Sequence, residues 1–322
     1  MKCFLGIDGG GSKTAFVLLD EEGKVRARHR EGAATYLELG LTGLRELLAR
    51  GTHALLRQAH TGVEEVTYAF LGIPCYGEDS TLLPSLDRLP GAFLPPGRWT
   101  CGNDVVCGWA GALGGAEGIN VVAGTGSIAY GELGGRCARA GGWGERFSDE
   151  GSAWWIACEG LAAFARMSDG RLPRTQLYDC VRRHFGLESD LDLCAALNAP
   201  EHTARGGFAG LAPLVTAADA AGDPAAAAII RAAARELAGL VRAVRSRLAT
   251  PRATAIPVSW SGSLFGVPRL LQAFRAEFAQ EPGFALQPPR LPPHVGAALQ
   301  AARLHGTALT DAALASLEGS AA

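Results

Sequence analysis

Two short glycine-rich turns, each between two apolar segments, limit the fold of this chain more than any other feature. The first is Gly9-Gly10-Gly11-Ser12, between residues 2–7 and 15–19, which both have the composition of β-strands. The second is Gly124-Thr125-Gly126-Ser127, which begins 115 residues later and also joins two apolar strands. Two segments built alike indicate a duplicated α/β unit. The length of 322 residues agrees, because it provides about two domains at roughly 150 residues each.

Composition and charge exclude several classes of protein. Lys and Arg number 30 against 32 Asp and Glu, a net charge of -2, whereas a dedicated nucleic-acid binder usually has a basic excess. No apolar run reaches the ~18–20 residues that cross a bilayer, and the short apolar stretch after Lys2 ends at Asp8, unlike a signal peptide. The eight cysteines show no metal-ligand spacing. We therefore expect a cytoplasmic protein with reduced thiols, and neither nucleic acid nor a membrane as a partner.

Two further expectations concern local structure. Leucines at helical spacing predict a helix over residues 41–60, with Gly51 as an interruption. The residues beyond Gly306 are small and polar enough that we expect them to be loosely ordered.

The first turn has the features of a phosphate-binding loop. Consecutive glycines leave backbone N–H groups open to a phosphate without obstruction by side chains. The segment lacks the third glycine of a dinucleotide-binding fingerprint, and it is not a Walker A loop because a strand follows Lys13. Asp8, at the end of the preceding strand, is well placed to bind Mg²⁺ or its waters. A plain glycine hairpin is the alternative.

Polar side chains also follow two other predicted strands. In the second turn, the hydroxyls of Thr125 and Ser127 suit phosphate oxygens or a sugar hydroxyl, although a tight hairpin explains the turn equally well. Asp104 follows a short apolar strand and precedes a helix. A carboxylate in that place can accept the proton of an alcohol during phosphoryl transfer. Alternatively, Asp104 only caps the helix.

Two more segments suggest ligand contacts. Gly142 and Gly144 flank Trp143, so that the indole can stand against a sugar ring, and the Asp149 carboxylate can accept hydrogen bonds from sugar hydroxyls. Asp149 can also simply cap the helix that follows. Gly262 and Ser263 lie between a predicted strand and a helix, where a glycine permits close approach of a flat base; a routine β–α turn is the alternative.

Together and in this order, these segments resemble the N-acetylglucosamine kinase and bacterial glucosamine kinase group of the BadF/BadG/BcrA/BcrD ATPase family, within the actin–hexokinase–Hsp70 superfamily. The most specific stretch is residues 141–156, GGWGERFSDEGSAWWI, followed by residues 207–210 and 222–224. The resemblance implies a duplicated ribonuclease H-like, actin-like α/β fold of two domains with a central interdomain cleft. It implies an N-terminal domain of residues 1–115, onto which a last helix at about 293–306 packs back, and a C-terminal domain of residues 116–292 with a helical insertion.

The resemblance also implies ligands and roles for individual residues. The ligands are ATP, Mg²⁺ and an amino sugar. Because the relatives are commonly homodimers, we expect this chain to form a homodimer too. Asp8 helps to hold Mg²⁺, and Asp104 contacts the sugar and is the catalytic base for its 6-hydroxyl. The nucleotide positions are Gly10, Gly11, Ser12, Lys13, Thr125, Ala209, Gly210, Gly262 and Ser263. The other sugar positions are Thr35, Ser127, Gly142, Trp143, Gly144 and Asp149.

Three functions compete at this point. The first is ATP-dependent phosphorylation of N-acetylglucosamine or glucosamine at the 6-hydroxyl. The second is an ATP-hydrolysing conformational switch that acts on a protein partner, and the third is a non-catalytic sugar sensor, against which the presence of both Asp8 and Asp104 argues. The chain also departs from mammalian-type members, which have Asn near Thr35 or Tyr36 and at Ile128, so the identity of the amino sugar stays open.

Overall fold

The structure, a computed structural model, describes residues 1–249, 254–307 and 309–321. It divides into two compact units. The first unit is Met1–Gly118 together with Pro288–Ala322, and the second unit is Ile119–Gln287. Each unit has its own sheet and its own buried apolar core.

The first unit contains a mixed sheet of five strands. They are β1 (Cys3–Gly9), β2 (Thr14–Asp20), β3 (Val25–Glu31), β4 (Val66–Ile73) and β5 (Trp99–Asn103). Their order is β3-β2-β1-β4-β5. β2 is antiparallel to β1 and β3, whereas β4 runs parallel to β1 and β5. β2 is buried along its whole length, and the edge strand β3 alternates between half-buried and exposed residues, as expected when one face is covered.

The second unit repeats this arrangement. Its strands are β6 (Gly118–Ala123), β7 (Ser127–Leu133), β8 (Arg136–Gly141), β9 (Ile256–Ser261) and β10 (Phe284–Leu286). The order is β8-β7-β6-β9-β10, so the first strand is central in both sheets, with the next two on one side and the last two on the other. β9 runs parallel to β6 and β10, and β7 is antiparallel to β8. The predicted duplicated α/β fold of two domains is confirmed.

Helices cover both faces of the first sheet. They are α1 (Tyr36–Gln58), α2 (Leu83–Arg88), α3 (Val105–Leu113), α12 (Pro293–Leu304) and α13 (Asp311–Ala321). α12 approaches β1 so closely that a Cβ on Gly6 would lie 2.3 Å from the backbone nitrogen of Ala298. The expectation of a loosely ordered tail beyond Gly306 is wrong for α13, because Leu314 and Leu317 are buried against an apolar cluster of β2 and α12.

The expected interruption of the long helix α1 is also misplaced. Gly51 lies inside the helix, where a Cβ would come within 2.3 Å of the Phe16 ring, so the glycine permits close packing on β2. The helical backbone is instead broken at Gly40, which has a φ of 65°.

The helices of the second unit include an insertion between β8 and β9. They are α4 (Ala153–Ser168), α5 (Gln176–Phe185), α6 (Asp192–Ala196), α7 (Pro200–Thr203), α8 (Arg205–Ala209), α9 (Ala212–Ala220), α10 (Pro224–Arg247) and α11 (Pro268–Ala276). Asp223 caps α10 by accepting from Ala225 N and Ala226 N at 2.9 Å. Across the described parts of the chain, no helix is long and apolar enough to cross a membrane.

Candidate functional site

Two carboxylates stand at the carboxyl ends of parallel strands in the first unit. Asp8 lies near the end of β1, and Asp104 directly follows β5. Between them runs β4, where Gly72 pairs in register with Asp8. A Cβ on Gly72 would lie 2.3 Å from Cys107 Sγ and 3.1 Å from Asp104 Cα. The glycine therefore lets the start of α3 approach the sheet and places Asp104 beside β4, one strand away from Asp8.

The surroundings of these carboxyl groups favour their protonated forms. Burial, together with the nearby charge of Asp104, raises the pKa of Asp8 to about 7, although Lys13 acts in the opposite direction. Burial likewise raises the pKa of Asp104 to about 6. Both residues keep a partly exposed edge, so a ligand can reach them. Perturbed carboxyl groups with an accessible edge are typical of functional sites.

The Asp104 side chain makes no capping hydrogen bond to α3. The Val105 N–H donates instead to Asn103 Oδ1 at 3.1 Å. The helix-capping alternative for Asp104 therefore loses its main support, although backbone donors at the start of α3, including the Val105 N–H, lie close enough to lower the pKa of this carboxyl.

The chemistry of these donors fits Mg²⁺. Carboxylate oxygens are hard ligands, and Mg²⁺ in phosphate sites commonly uses one or two carboxylates plus phosphate oxygens and waters. Within the residues that the structure describes, no three His, Cys, Asp or Glu side chains form a ready-made metal cluster. Asp8 can thus hold the ion only as part of such a mixed set.

The turn between β1 and β2 presents open backbone, as the sequence predicts for a phosphate loop. A Cβ on Gly11 would meet no atom within 4 Å, and Ser12 and Lys13 are exposed. The Ala34 N–H donates to Gly10 O at 3.1 Å. This bond joins the turn to the segment of Thr35, which is partly exposed at the start of α1. The first unit therefore brings Asp8, Asp104, the glycine turn and Thr35 to one end of its sheet.

In the second unit, the turn between β6 and β7 is held by Asp149. This residue is 1% exposed and has a φ of 63°. Its Oδ1 accepts from Ser127 N at 3.3 Å. Ser127 is itself buried, and its hydroxyl donates to Glu150 O at 2.7 Å, so it is placed to fix the turn. Thr125 is exposed at the tip of the turn. Ser152, not Asp149, caps α4 by accepting from Trp155 N at 3.2 Å, which removes the capping alternative for Asp149.

Arg205 is a site residue that the sequence analysis missed. Its guanidinium, at the start of α8, donates to Asp149 Oδ2 and lies 3.1 Å from Glu145 Oε2. A Cβ on Gly126 would collide with this guanidinium, so the glycine turn and the arginine depend on each other. The partners are 56 residues apart in sequence, and no motif joins them. Phe208 packs on Trp154 with ring centroids 4.3 Å apart and thereby fixes α8 against α4.

The segment around Trp143 is open to solvent. Trp143 is 67% exposed, and its ring lies 5.6 Å from the Arg139 guanidinium. Arg139 Nη2 also donates to Gly142 O at 2.8 Å, which holds the backbone beside the indole. Gly142 and Gly144 both have positive φ, so the glycines shape the loop that presents an uncovered aromatic face.

The expected nucleotide positions of the second unit fall at two places. Gly262 follows β9 with a φ of 99°, and a Cβ there would lie 2.2 Å from Ala123 O, directly before the second glycine turn. Gly262 and the exposed Ser263 are thus beside that turn. Ala209 ends α8 and is buried, and the exposed Gly210 follows it. Through Arg205, the same helix is connected to Asp149.

Comparison with known proteins gives a family and several relatives. The model of the BadF/BadG/BcrA/BcrD ATPase family matches residues 5–301. An N-acetylmuramic acid/N-acetylglucosamine kinase from Clostridium acetobutylicum is 31% identical over 283 residues, which are 85% of this chain and 90% of the relative. An N-acetyl-D-glucosamine kinase from Dictyostelium discoideum is 27% identical over 271 residues, 80% of this chain and 84% of the relative. The crystal structure of a candidate N-acetylglucosamine kinase from Chromobacterium violaceum superposes with a TM-score of 0.72 at 26% identity, covering 94% of this chain and 99% of that one.

Proposed function

Because the chain belongs to the BadF/BadG/BcrA/BcrD ATPase family, we propose that it transfers the γ-phosphoryl group of ATP to the 6-hydroxyl of an amino sugar. The observation that carries the proposal is Asp104, a partly accessible carboxyl that makes no capping hydrogen bond to α3 and lies beside β4, the strand next to the one that bears Asp8. Relatives that cover most of the chain are N-acetylglucosamine kinases, which supports the same reaction here.

Asp104 is the proposed catalytic base. With a pKa of about 6 it is ionised at neutral pH, yet it is basic enough to accept a proton from an alcohol. As that proton moves to Asp104, the sugar oxygen forms a bond to the γ-phosphorus. The bond between the γ-phosphorus and the bridging oxygen breaks, and the electron pair leaves with ADP.

The first unit also supplies groups for the phosphates. The open backbone N–H groups at Gly10 and Gly11 can donate to phosphate oxygens, and the exposed Lys13 adds a positive charge. Asp8 is the proposed ligand for Mg²⁺. When bound, the ion would neutralise charge on the transferring phosphoryl group.

The second unit supplies the proposed sugar contacts. The uncovered face of Trp143 suits a sugar ring, and Gly142, Gly144, Ser127 and Asp149 shape the loops around it. Asp149 is held by Arg205, so its orientation is fixed before a sugar arrives. The proposed nucleotide contacts of this unit are Thr125, Gly262, Ser263, Ala209 and Gly210. Thr35, in the first unit, is proposed to contact the sugar as well.

N-acetylglucosamine is the substrate that the relatives favour, and glucosamine and N-acetylmuramic acid are the comparators. Product analysis tests the position of transfer. After incubation with MgATP and each sugar, correlation of the product ³¹P signal with sugar protons should reach the C6 methylene. A correlation with the anomeric proton would assign a 1-kinase and overturn the role given to the 6-hydroxyl.

A further inference from the structure

A basic pocket lies beside the glycine turn of the first unit, on strands that the proposed reaction does not use. It has a volume of about 330 Å³ and is lined by Ala15, Phe16, Arg28, His29, Arg30 and His294. Ala15 pairs with Asp8 on one side and with Arg30 on the other. Ala15, in the wall of the pocket, is thus one strand spacing from Asp8, and Arg30 is two spacings, about 10 Å, away.

The two arginines of this pocket have no acidic partner in the described part of the chain. Neighbouring arginines do, since Arg26 lies 3.7 Å from Asp20 and Arg50 lies 3.0 Å from Glu31. Glu31, the carboxylate next to Arg30 in sequence, is already shared between Arg50 and His29. Arg28 and Arg30 occupy the same face of the edge strand β3, because residues two apart on a strand point the same way. Two cations thus face one pocket without a counter-charge.

His294, at the start of α12, reports the same positive field. Burial and, to a smaller extent, the charges of Arg28, Arg30 and Lys13 together lower its pKa to about 4. The ring is therefore neutral at physiological pH, with one N–H to donate. An anion in the pocket would offset this positive field at the ring.

We propose that this pocket is a second ligand site, which binds a phosphomonoester while the nucleotide site is occupied. Arg28 and Arg30 provide paired guanidinium donors, which suit a phosphate dianion. Ala15 gives the pocket an apolar surface, and the volume exceeds that of one phosphate group. The pocket therefore takes a phosphate together with a small organic group, of the size of a hexose phosphate. Lys13, in the glycine turn, acts electrostatically on both Asp8 and His294. A charged ligand in the pocket would therefore also change the electrostatic environment of the glycine turn.

Binding to the full chain tests the proposal without any turnover. The probes are glucosamine 6-phosphate, inorganic phosphate and unphosphorylated glucosamine, each titrated calorimetrically in the presence of a saturating non-hydrolysable ATP analogue. The variants are the double substitution R28Q/R30Q and the matched control R26Q, which removes a positive charge from the same face of the same strand outside the pocket. The ¹⁵N signals of the His294 ring provide a second readout in the unsubstituted protein, which does not depend on any variant folding.

We expect glucosamine 6-phosphate to bind the pocket more tightly than inorganic phosphate does. Glucosamine itself, a proposed substrate, should bind only at the active site, so R28Q/R30Q should leave its binding unchanged. R28Q/R30Q should weaken binding at least about tenfold, because it removes two charge-assisted donors, whereas R26Q should change it less than about twofold. The pKa of His294 should rise by about one unit or more on binding. Equal binding by R28Q/R30Q, an unchanged His294 ring, or no binding once the ATP analogue is present would each overturn the proposal. Because the proposed active site contains neither Arg28 nor Arg30, the comparison with R28Q/R30Q separates binding at this pocket from binding of substrate or product at the active site.

Discussion

The guanidinium of Arg205 donates to the carboxylate of Asp149, whose other oxygen accepts from the Ser127 N–H. Asp149 is almost fully buried, so without this partner its charge would be poorly compensated. The contact ties the insertion helix α8 to the second glycine turn. It thereby links a residue of the proposed sugar site with the proposed phosphate loop.

Replacing Arg205 with Gln should both destabilise the protein and weaken sugar binding. The free energy of unfolding should fall by about 1–3 kcal/mol, because a buried carboxylate loses its charged donor. The KM for the sugar should rise more than kcat falls, since Arg205 positions Asp149 without touching the reacting atoms. Urea denaturation and steady-state kinetics measure both effects.

Two matched variants separate this role from a general loss of charge. R171Q breaks an exposed ion pair with Asp169 in the same unit and should cost less than about 0.5 kcal/mol. The double variant R205Q/D149N should lose less stability than the sum of the two single changes, because both remove one interaction. Additive losses would mean that the pair is not coupled.

The Asp104→Asn variant should lose catalysis but retain its ligands. Removal of a general base costs about 10²–10⁴-fold in rate, while nucleotide and sugar affinities should change little. D169N, at an exposed carboxylate of the second unit, is the control and should keep full activity. Near-normal turnover by Asp104→Asn would show that another group accepts the proton.

The same substitution should stabilise the fold at high pH. The pKa of Asp104 is raised from 3.8 to about 6. The folded state therefore binds the proton more tightly than the unfolded chain, and this contribution is lost as the pH rises through 6. Asn cannot ionise, so Asp104→Asn should be more stable than the unsubstituted protein by about 1–2 kcal/mol at pH 8, allowing for the open edge of the carboxyl. The difference should vanish near pH 4, as thermal unfolding at the two pH values can show.

On the acid side, kcat/KM should begin to fall at a higher pH than an ordinary carboxyl would give. Asp104 must be ionised to accept a proton, and Asp8 must be ionised to hold a cation, so activity should fall below about pH 6–7. The two carboxyl groups influence each other, so the profile should be fitted with pKa values for the pair. A limb near pH 4, the ordinary range of a carboxyl, would contradict the assigned environments.

Gly11→Ala should weaken ATP binding without destabilising the protein. A Cβ at Gly11 meets no atom within 4 Å and so enters open space where the phosphates are proposed to lie. We expect roughly tenfold weaker nucleotide binding, the equivalent of one charge-assisted hydrogen bond lost, with an unchanged melting temperature. Gly62→Ala also places its Cβ in open space, far along the chain from the turn, and should alter neither property.

The sequence predicted the parts of the molecule that depend on local patterns. Apolar strands around the glycine turns gave the duplicated sheets, and Asp8 and Asp104 were placed at strand ends because short motifs surround them. Arg205 and the helix α13 escaped prediction, since both depend on distant partners: Asp149 for the first, and Val17 and Leu19 for the second. Gly51 led to a wrong prediction because a glycine inside a helical pattern usually indicates an interruption. Only the structure shows that this glycine is there because the Phe16 ring packs against it.

Sugar-dependent release of ADP tests the central claim most directly. MgATP is supplied with N-acetylglucosamine, glucosamine, glucose or no sugar, and ADP is followed by a coupled spectroscopic reaction. The account predicts strong stimulation by one amino sugar, little by glucose, and a low rate without sugar. A rate that is the same in all four reactions would contradict a sugar kinase and would favour an ATP-hydrolysing switch that acts on a protein partner.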